Sequence, residues 1–248
     1  MYINAGEIQN MGYELSLNAI PVQKNDFSWS VDINWFKNMN KLVSLGGGID
    51  NILLFSAWDV SINARVGEPY GAIVGTDFVY LDGKKVVGDD GFYLRTSTEE
   101  VIGNINPDWN AGIRNSFRYK SLSISGLIDI QQGGDIFSVN TKHGLSTGLY
   151  EETAGLNDKG KPKRDPVSEG GGILFPETVY DDGTPNTTYV ECNEWGTAFD
   201  YDASPTARYV LDASYVKLRE AAITYDLPIK LLSKSFIKGA AVSFVGRN

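Results

Sequence analysis

The stretch YDDGTPNTTYVECNEWGTAFDYD, residues 180–202, carries the side chains best suited to hold a polar ligand. Trp195, Tyr189 and Tyr201 offer flat faces on which a sugar ring can stack. Asp181, Asp182 and Glu194 offer carboxylates that accept hydrogen bonds from its hydroxyls. The same residues also suit a solvated loop, or a surface that meets another protein. They sit in a run of Gly, Pro, Asp and Thr clusters between 133 and 208, and loops of that length are commonly functional.

Other chemistry is sparse. The one histidine, His143, lies in NTKHGLS with no nucleophile elbow around it, and reads as a loop residue. The one cysteine, Cys192, excludes an internal disulfide and argues against a zinc site. GDDG (88–91) and DDG (181–183) lack the remaining ligands of an EF-type calcium loop and read as turns. The glycine runs at 46–48 and 170–172 have no Lys-Ser/Thr after them, so they are not phosphate loops. The sequon NTT (186–188) adds nothing to the reading. No catalytic constellation, cofactor or metal site is expected. A net charge of −9 without a basic block argues against nucleic-acid binding, which needs clustered cations.

The elements that position these residues are strands. Gly (27), Tyr (13), Phe (11) and Trp (5) are abundant, as in β-rich proteins. In MGYELSLNAI, Tyr13, Leu15, Leu17 and Ala19 alternate with Glu14, Ser16 and Asn18. After the short turn PVQKND, Phe27, Trp29, Val31, Ile33 and Trp35 alternate with Ser28, Ser30, Asp32 and Asn34, which completes a hairpin. A second hairpin is predicted from DWNAGIRNSFRYK and SLSISGLIDIQQ, turning at YKSL. Residues 38–65 read as a mixed connection and 88–106 as loop. PYGAIVGTDFVYLDGKKVV reads as one or two strands turning at Asp82-Gly83, and GGDIFSVNTKHGL as holding a short helix.

The connections are uneven. Those near 21–26, 119–122 and 227–235 are short, and those between hairpins are long. An up-and-down outer-membrane barrel has this asymmetry, with strands of about ten residues and aromatic girdles at their ends. Trp29, Trp35, Trp109, Phe117 and Tyr119 lie near predicted strand ends. A soluble β domain shares the alternation, so composition and pattern leave a secreted β-rich glycan-binding module open. A β-rich hydrolase would need paired carboxylates across a cleft.

Four stretches carry a family resemblance. NAGEIQNMGYELSL (4–17), IGNINPDWNAGIRNSFRYKSLSISGLIDIQQGGDIF (102–137), SYVKLREAAITYDLP (214–228) and AAVSFVGRN (240–248) resemble, in order, strand motifs of SusC/RagA-type TonB-linked outer-membrane proteins. The resemblance implies an all-β fold: an antiparallel transmembrane β-barrel segment, one part (1–248) of a 22-stranded barrel. The plug and final strand would be absent. Both ends of the chain look cut, since MYINAGEIQN has no export signal and VSFVGRN ends in alternation. The resemblance further implies nutrient import without enzymatic activity in the bacterial outer membrane. The implied partners are a SusD-like surface lipoprotein, the TonB complex, outer-membrane lipid, and an oligosaccharide or peptide substrate. Trp109 would be a girdle anchor, and Lys217, Arg219 and Glu220 would be lumen or cross-strand charge partners.

The segment YVLDASYVKLREAAITYDLPIK (209–230) fits neither an amphipathic helix nor a regular strand. Val216 and Leu218 lie on one parity, but Ile223, Tyr225 and Leu227 lie on the other. A bulge or a lipid-to-loop boundary is expected near Arg219–Ala222, with Pro228 closing the periplasmic end.

Overall fold

The computed structural model describes residues 6–192, 198–233 and 236–248. Along the chain run β1 (Gly6–Gln23), β2 (Phe27–Leu45), β3 (Asn51–Ala57), β4 (Val60–Arg65), β5 (Ala72–Gly75), β6 (Tyr80–Leu81), β7 (Lys84–Val86), β8 (Glu100–Asn104), β9 (Trp109–Tyr119) and β10 (Leu122–Gln132). Then come β11 (Asp135–Phe137), α1 (Val139–Ser146), β12 (Thr178–Val179), β13 (Val210–Asp212), β14 (Tyr215–Asp226), α2 (Ile229–Leu232) and β15 (Ala241–Arg247). They fall into two units.

The first unit, Ile8–Lys41, Asn106–Gly134 and Asp212–Asn248, is a meander in the order β1-β2-β9-β10-β14-β15. Its pairings β2–β9, β9–β10, β10–β14 and β14–β15 are antiparallel. Register sorts its side chains onto two faces. On one, Trp29 pairs with Phe117, Phe117 with Ile124, Ile124 with Ile223, and Ile223 with Phe244. The next row on that face holds Phe27, Tyr119, Leu122, Tyr225 and Val242. Trp29 stacks on Phe117 at 5.9 Å and donates its indole N–H to Asn115 at 3.1 Å. This face is exposed: Tyr13, Val216 and Phe244 keep 66%, 73% and 75% of their surface.

The other face is polar and cross-linked between strands. Asn18 donates to Asp32 at 2.6 Å and Ser16 to Asn34 at 2.9 Å. Arg114 and Arg247 both reach Glu220, at 3.1 and 2.9 Å, and Arg118 reaches Asp226 at 3.0 Å. Asp129 receives Arg219 at 2.7 Å and the Tyr215 hydroxyl at 3.1 Å. Lys217 stands opposite Asp129 in register, yet its ammonium lies 3.8 Å from the Tyr215 ring centroid. Arg219 and Glu220 are thus cross-strand charge partners, as read from the sequence.

The expected irregularity in β14 is a bulge. Leu127 pairs with Glu220, but Ile128 pairs with Leu218, which leaves Arg219 as the extra residue. One inserted residue reverses the parity of all that follows. Val216 and Leu218 before it, and Ile223 and Tyr225 after it, therefore share the apolar face. Without the bulge, half the strand would present its apolar residues to the ion pairs.

The second unit comprises Met1–Glu7, Leu42–Ile105 and Asp135–Leu211. It holds a four-stranded sheet in the order β3-β4-β5-β8, a three-stranded one in the order β12-β7-β6, and α1. Tyr209, Phe175, Phe199, Val190, Ile173 and Leu145 form its core. Ser138 caps α1 by accepting the Thr141 N–H at 3.1 Å. Asp82 (φ 49°) and Gly83 (φ 79°) turn the chain between β6 and β7, as the sequence indicates.

Three stretches are more ordered than the sequence reading had them. Residues 38–65 are not a connection: β2 runs on to Leu45, and β3 and β4 pair as a hairpin. KNMNKLVSL is too polar on both parities to signal a strand; its order comes from pairing. The 88–106 loop contains β8, paired with β5. The 133–208 stretch contains α1 (the expected helix), 3₁₀ turns and short strands.

Deletion of Arg219 should cost about 2 kcal/mol or more, because it turns Val216 and Leu218 toward the charged face and removes the Asp129 partner. Thermal unfolding followed by circular dichroism would measure this. Stability equal to that of the parent would show that the bulge does not set the register.

Candidate functional site

The second unit contains a cleft of about 630 Å³. Its aromatic lining comes from four places in the chain: Phe78 before β6, Tyr93 before β8, Phe175 before β12, and Phe199. Tyr93 stacks on Phe175 at 4.3 Å and meets Phe78 edge-on at 5.0 Å. Two cations lie on these rings. The Arg208 guanidinium is 5.1 Å from Phe199, 5.4 Å from Phe175 and 5.7 Å from Tyr93. The Lys85 ammonium is 3.8 Å from Phe78 and 5.7 Å from Tyr93. Each contact is a cation over a π face, a geometry that persists when water is excluded.

The two cations differ in their partners. Arg208 binds Glu152 at 3.2 Å and Ser204 at 2.9 Å. Lys85 has no ion pair or hydrogen bond among the described residues. Burial first, and then repulsion from Arg208, lowers the Lys85 pKa from the usual lysine value, against a smaller opposing pull from Asp77. Burial also raises the phenol of Tyr93, partly countered by Arg208.

The sequence-predicted residues go to different neighbours. Tyr189 donates its hydroxyl to both carboxylate oxygens of Asp158 at 2.6 Å, and Asp158 lines the cleft. The Lys159 ammonium lies 3.3 Å from the Tyr189 ring centroid. The Asp158 bond, which stabilises the neutral phenol, pushes the Tyr189 pKa up to about 12. Asp182 accepts the Thr184 N–H at 2.8 Å and its hydroxyl at 2.6 Å, which lowers its pKa and ties it into a turn. Asp181 is exposed beside it. Tyr201 bonds His143 Nδ1 at 3.0 Å and stacks near Trp58 at 6.4 Å. Glu194 and Trp195 lie outside the described residues. GDDG also forms a turn, with Gly91 at φ 82° and Asp90 accepting the Phe92 N–H.

Sequence reasoning missed Lys85, Arg208 and the rings beneath them. They come from segments with no shared motif, so only the fold brings them together. It also missed an ion pair beside the Tyr201 group, between a buried lysine and an exposed aspartate. Lys142, 4% exposed, meets Asp59 at 2.6 Å, and the Thr206 hydroxyl donates to the Asp59 carbonyl at 3.2 Å. Among the described residues, no three His, Cys, Asp or Glu side chains group as a metal site requires.

Along its whole length the chain is similar to TonB-dependent receptors, and over a shorter stretch to SusC. It is 26% identical to TonB-dependent receptor P3 of Formosa agariphila, over 99% of this chain and 24% of that receptor. It matches TonB-dependent receptor P26 of the same organism at 26% identity, over 99% of this chain and 25% of the receptor. TonB-dependent receptor SusC of Bacteroides thetaiotaomicron is 38% identical over 56 residues, 23% of this chain and 6% of SusC. The chain thus spans about a quarter of the length of the two receptors it matches end to end. The fold is similar to solved structures of the RagAB peptide transporter (TM-score 0.62, 21% identity) and of the RagAB peptide importer in its closed-closed state (0.63, 21%). Each match covers 99% of this chain and 26% of the other. No family model matches. The resemblance carried by the four strand motifs is borne out.

Two outcomes are expected. Asp59→Ala leaves the buried Lys142 ammonium without its counter-charge and should destabilise the protein by about 1–3 kcal/mol, read by denaturant unfolding. In an alkaline titration followed by phenolate absorbance, Asp158→Asn should return one late-titrating tyrosine toward the ordinary range. Because the folded pKa of Tyr189 is raised, its bond to Asp158 stabilises the fold fully below about pH 10, and this is lost as pH climbs toward 12. An unchanged titration in the variant would rule out that bond.

Proposed function

We propose that this chain is part of the barrel wall of a TonB-dependent importer in a bacterial outer membrane. In this reading residues 1–248 belong to one 22-stranded barrel domain, and the plug and the final strand lie outside them. One observation carries the reading: a six-stranded meander with an apolar, aromatic-edged face and an ion-paired polar face, kept apart across the strands by a single bulge in β14. A membrane barrel turns the first face to lipid and the second to its lumen. The row from Phe27 to Tyr225 lies at the short-connection end of the sheet, where an interfacial girdle belongs. Trp109 opens β9 at the opposite end, and Trp35 lies midway along β2.

The activity assigned is uptake of a nutrient, an oligosaccharide or a peptide, driven through TonB and shared with a SusD-like surface lipoprotein. The long excursions at 46–108 and 133–214 would face the cell exterior and meet the ligand. Of the residues chosen from sequence (Asp181, Asp182, Tyr189, Glu194, Trp195 and Tyr201), Tyr189 has the best support as a ligand contact, through its bond to Asp158 at the cleft. The reading assigns the chain no chemical reaction.

The receptor that carries this chain should fractionate with the outer membrane and need detergent for extraction, and its uptake should stop when TonB is removed. Partition into the aqueous phase would return the protein to the class of soluble glycan-binding modules. Within the sheet, Ile128→Lys should cost about 2–4 kcal/mol of folding stability in lipid, whereas Ser125→Lys on the polar face should be tolerated. Equal effects of the two variants would refute the assignment of faces.

A further inference from the structure

The cleft lining carries Lys85, Lys163 and Arg208 against Glu152 and Asp158, a surplus of one positive charge in a chain of net charge −9. Its two carboxylates are already engaged, Glu152 by Arg208 and Asp158 by Tyr189. Lys163 donates to the Glu152 backbone carbonyl at 3.2 Å. Lys85 alone of the three cations has neither ion pair nor hydrogen bond among the described residues, although it is half-buried beside another cation. Charges withdrawn from water are ordinarily paired. The ring of Phe78 offsets part of that cost, but a π face does not take up the three N–H donors of an ammonium.

We propose that the cleft binds a ligand bearing a carboxylate. Lys85 and Arg208 would take its oxygens, and its apolar or ring-shaped body would lie on Tyr93, Leu156 and Pro176, the lining side chains that reach the surface of the cleft. The arrangement fits such a ligand on three counts. The guanidinium can keep Glu152 on one edge and offer another, since it has five donors. The aromatic floor excludes water from the pair, which strengthens a charge-assisted hydrogen bond. Burial first, and then Arg208, disfavours the charged form of Lys85, and an incoming anion favours it. A carboxylate of this kind has two sources, the C-terminus of a short peptide or a uronic acid of an oligosaccharide. The inference rests on the second unit being the ligand-facing part of the importer proposed above.

Calorimetry on the detergent-purified receptor tests it with two matched pairs: N-acetyl-Gly-Phe against its C-terminal amide, and phenyl β-D-glucuronide against phenyl β-D-glucoside. In at least one pair the acid should bind about tenfold more tightly than its neutral counterpart, the size of a hydrogen bond to a charged group. Preference in the first pair alone identifies a peptide terminus, and in the second alone an acidic sugar. Lys85→Met should abolish the preference and Lys85→Arg should retain it. Equal affinity within both pairs, no binding of either acid at about 10 mM, or a preference that survives Lys85→Met would each overturn the inference. A receptor that fractionates with the outer membrane and imports under TonB but shows no such preference sinks this inference alone. A receptor recovered in the aqueous phase sinks the import reading and leaves the binding result intact.

Discussion

Period-two alternation, held in register across six strands, is the constraint on which the sheet depends. A slip of one residue anywhere exchanges the two faces of a whole strand. The hairpins β1–β2 and β9–β10 keep the period with tight turns. Strand β14 cannot, because its apolar residues change parity partway, and a single extra residue at Arg219 restores agreement with both neighbours. The bulged residue is also used. Its guanidinium reaches back to Asp129 and the Tyr215 hydroxyl, so the irregularity is fixed by charge on the polar face. Glu220, next in sequence, receives arginines from both sides. Isolated exposed ion pairs contribute little, but a chain of them spanning four strands opposes sliding of any one.

The second unit is organised differently. Its strands are short, and its core is built from aromatic rings held between turns. Arg208 joins three of those rings while Glu152 neutralises it, so a cation serves as a packing element. Lys142 does the same beneath Tyr201 and Tyr209, with Asp59 as its counter-charge. Such cores fix side-chain positions well, because each charge has one low-energy location.

The sequence displayed the sheet better than the cleft, for a physical reason. Two-faced strands repeat their signal every other residue, so Trp29, Val31 and Ile33, or Ile124, Ile128 and Ile130, declare themselves locally. The parity break at Arg219 could be read by the same logic. The second half of β2 was hidden because KNMNKLVSL is polar on both parities and is ordered by its neighbours. The cleft was hidden because its residues are scattered from Phe78 to Arg208, and each looks ordinary in its own segment. Reading by local density instead favoured 180–202. There the fold uses Asp182 for a turn and engages Tyr201 with His143. Tyr189 alone of the described candidates was brought to the cleft's edge, through Asp158.

Each long excursion leaves one strand of the meander and returns to its immediate neighbour: β2 to β9, and β10 to β14. The second insertion is therefore pinned at ends a single strand spacing apart, near Gln131 and Tyr215, while the first leaves from Leu45, past the last β2–β9 pair at Phe36. Closing such a gap costs entropy that grows only with the logarithm of length, about 0.6 kcal/mol per doubling. The inserted segments can be lengthened or shortened at little cost to the sheet. The strand pairings then act as a socket that accepts segments of different length.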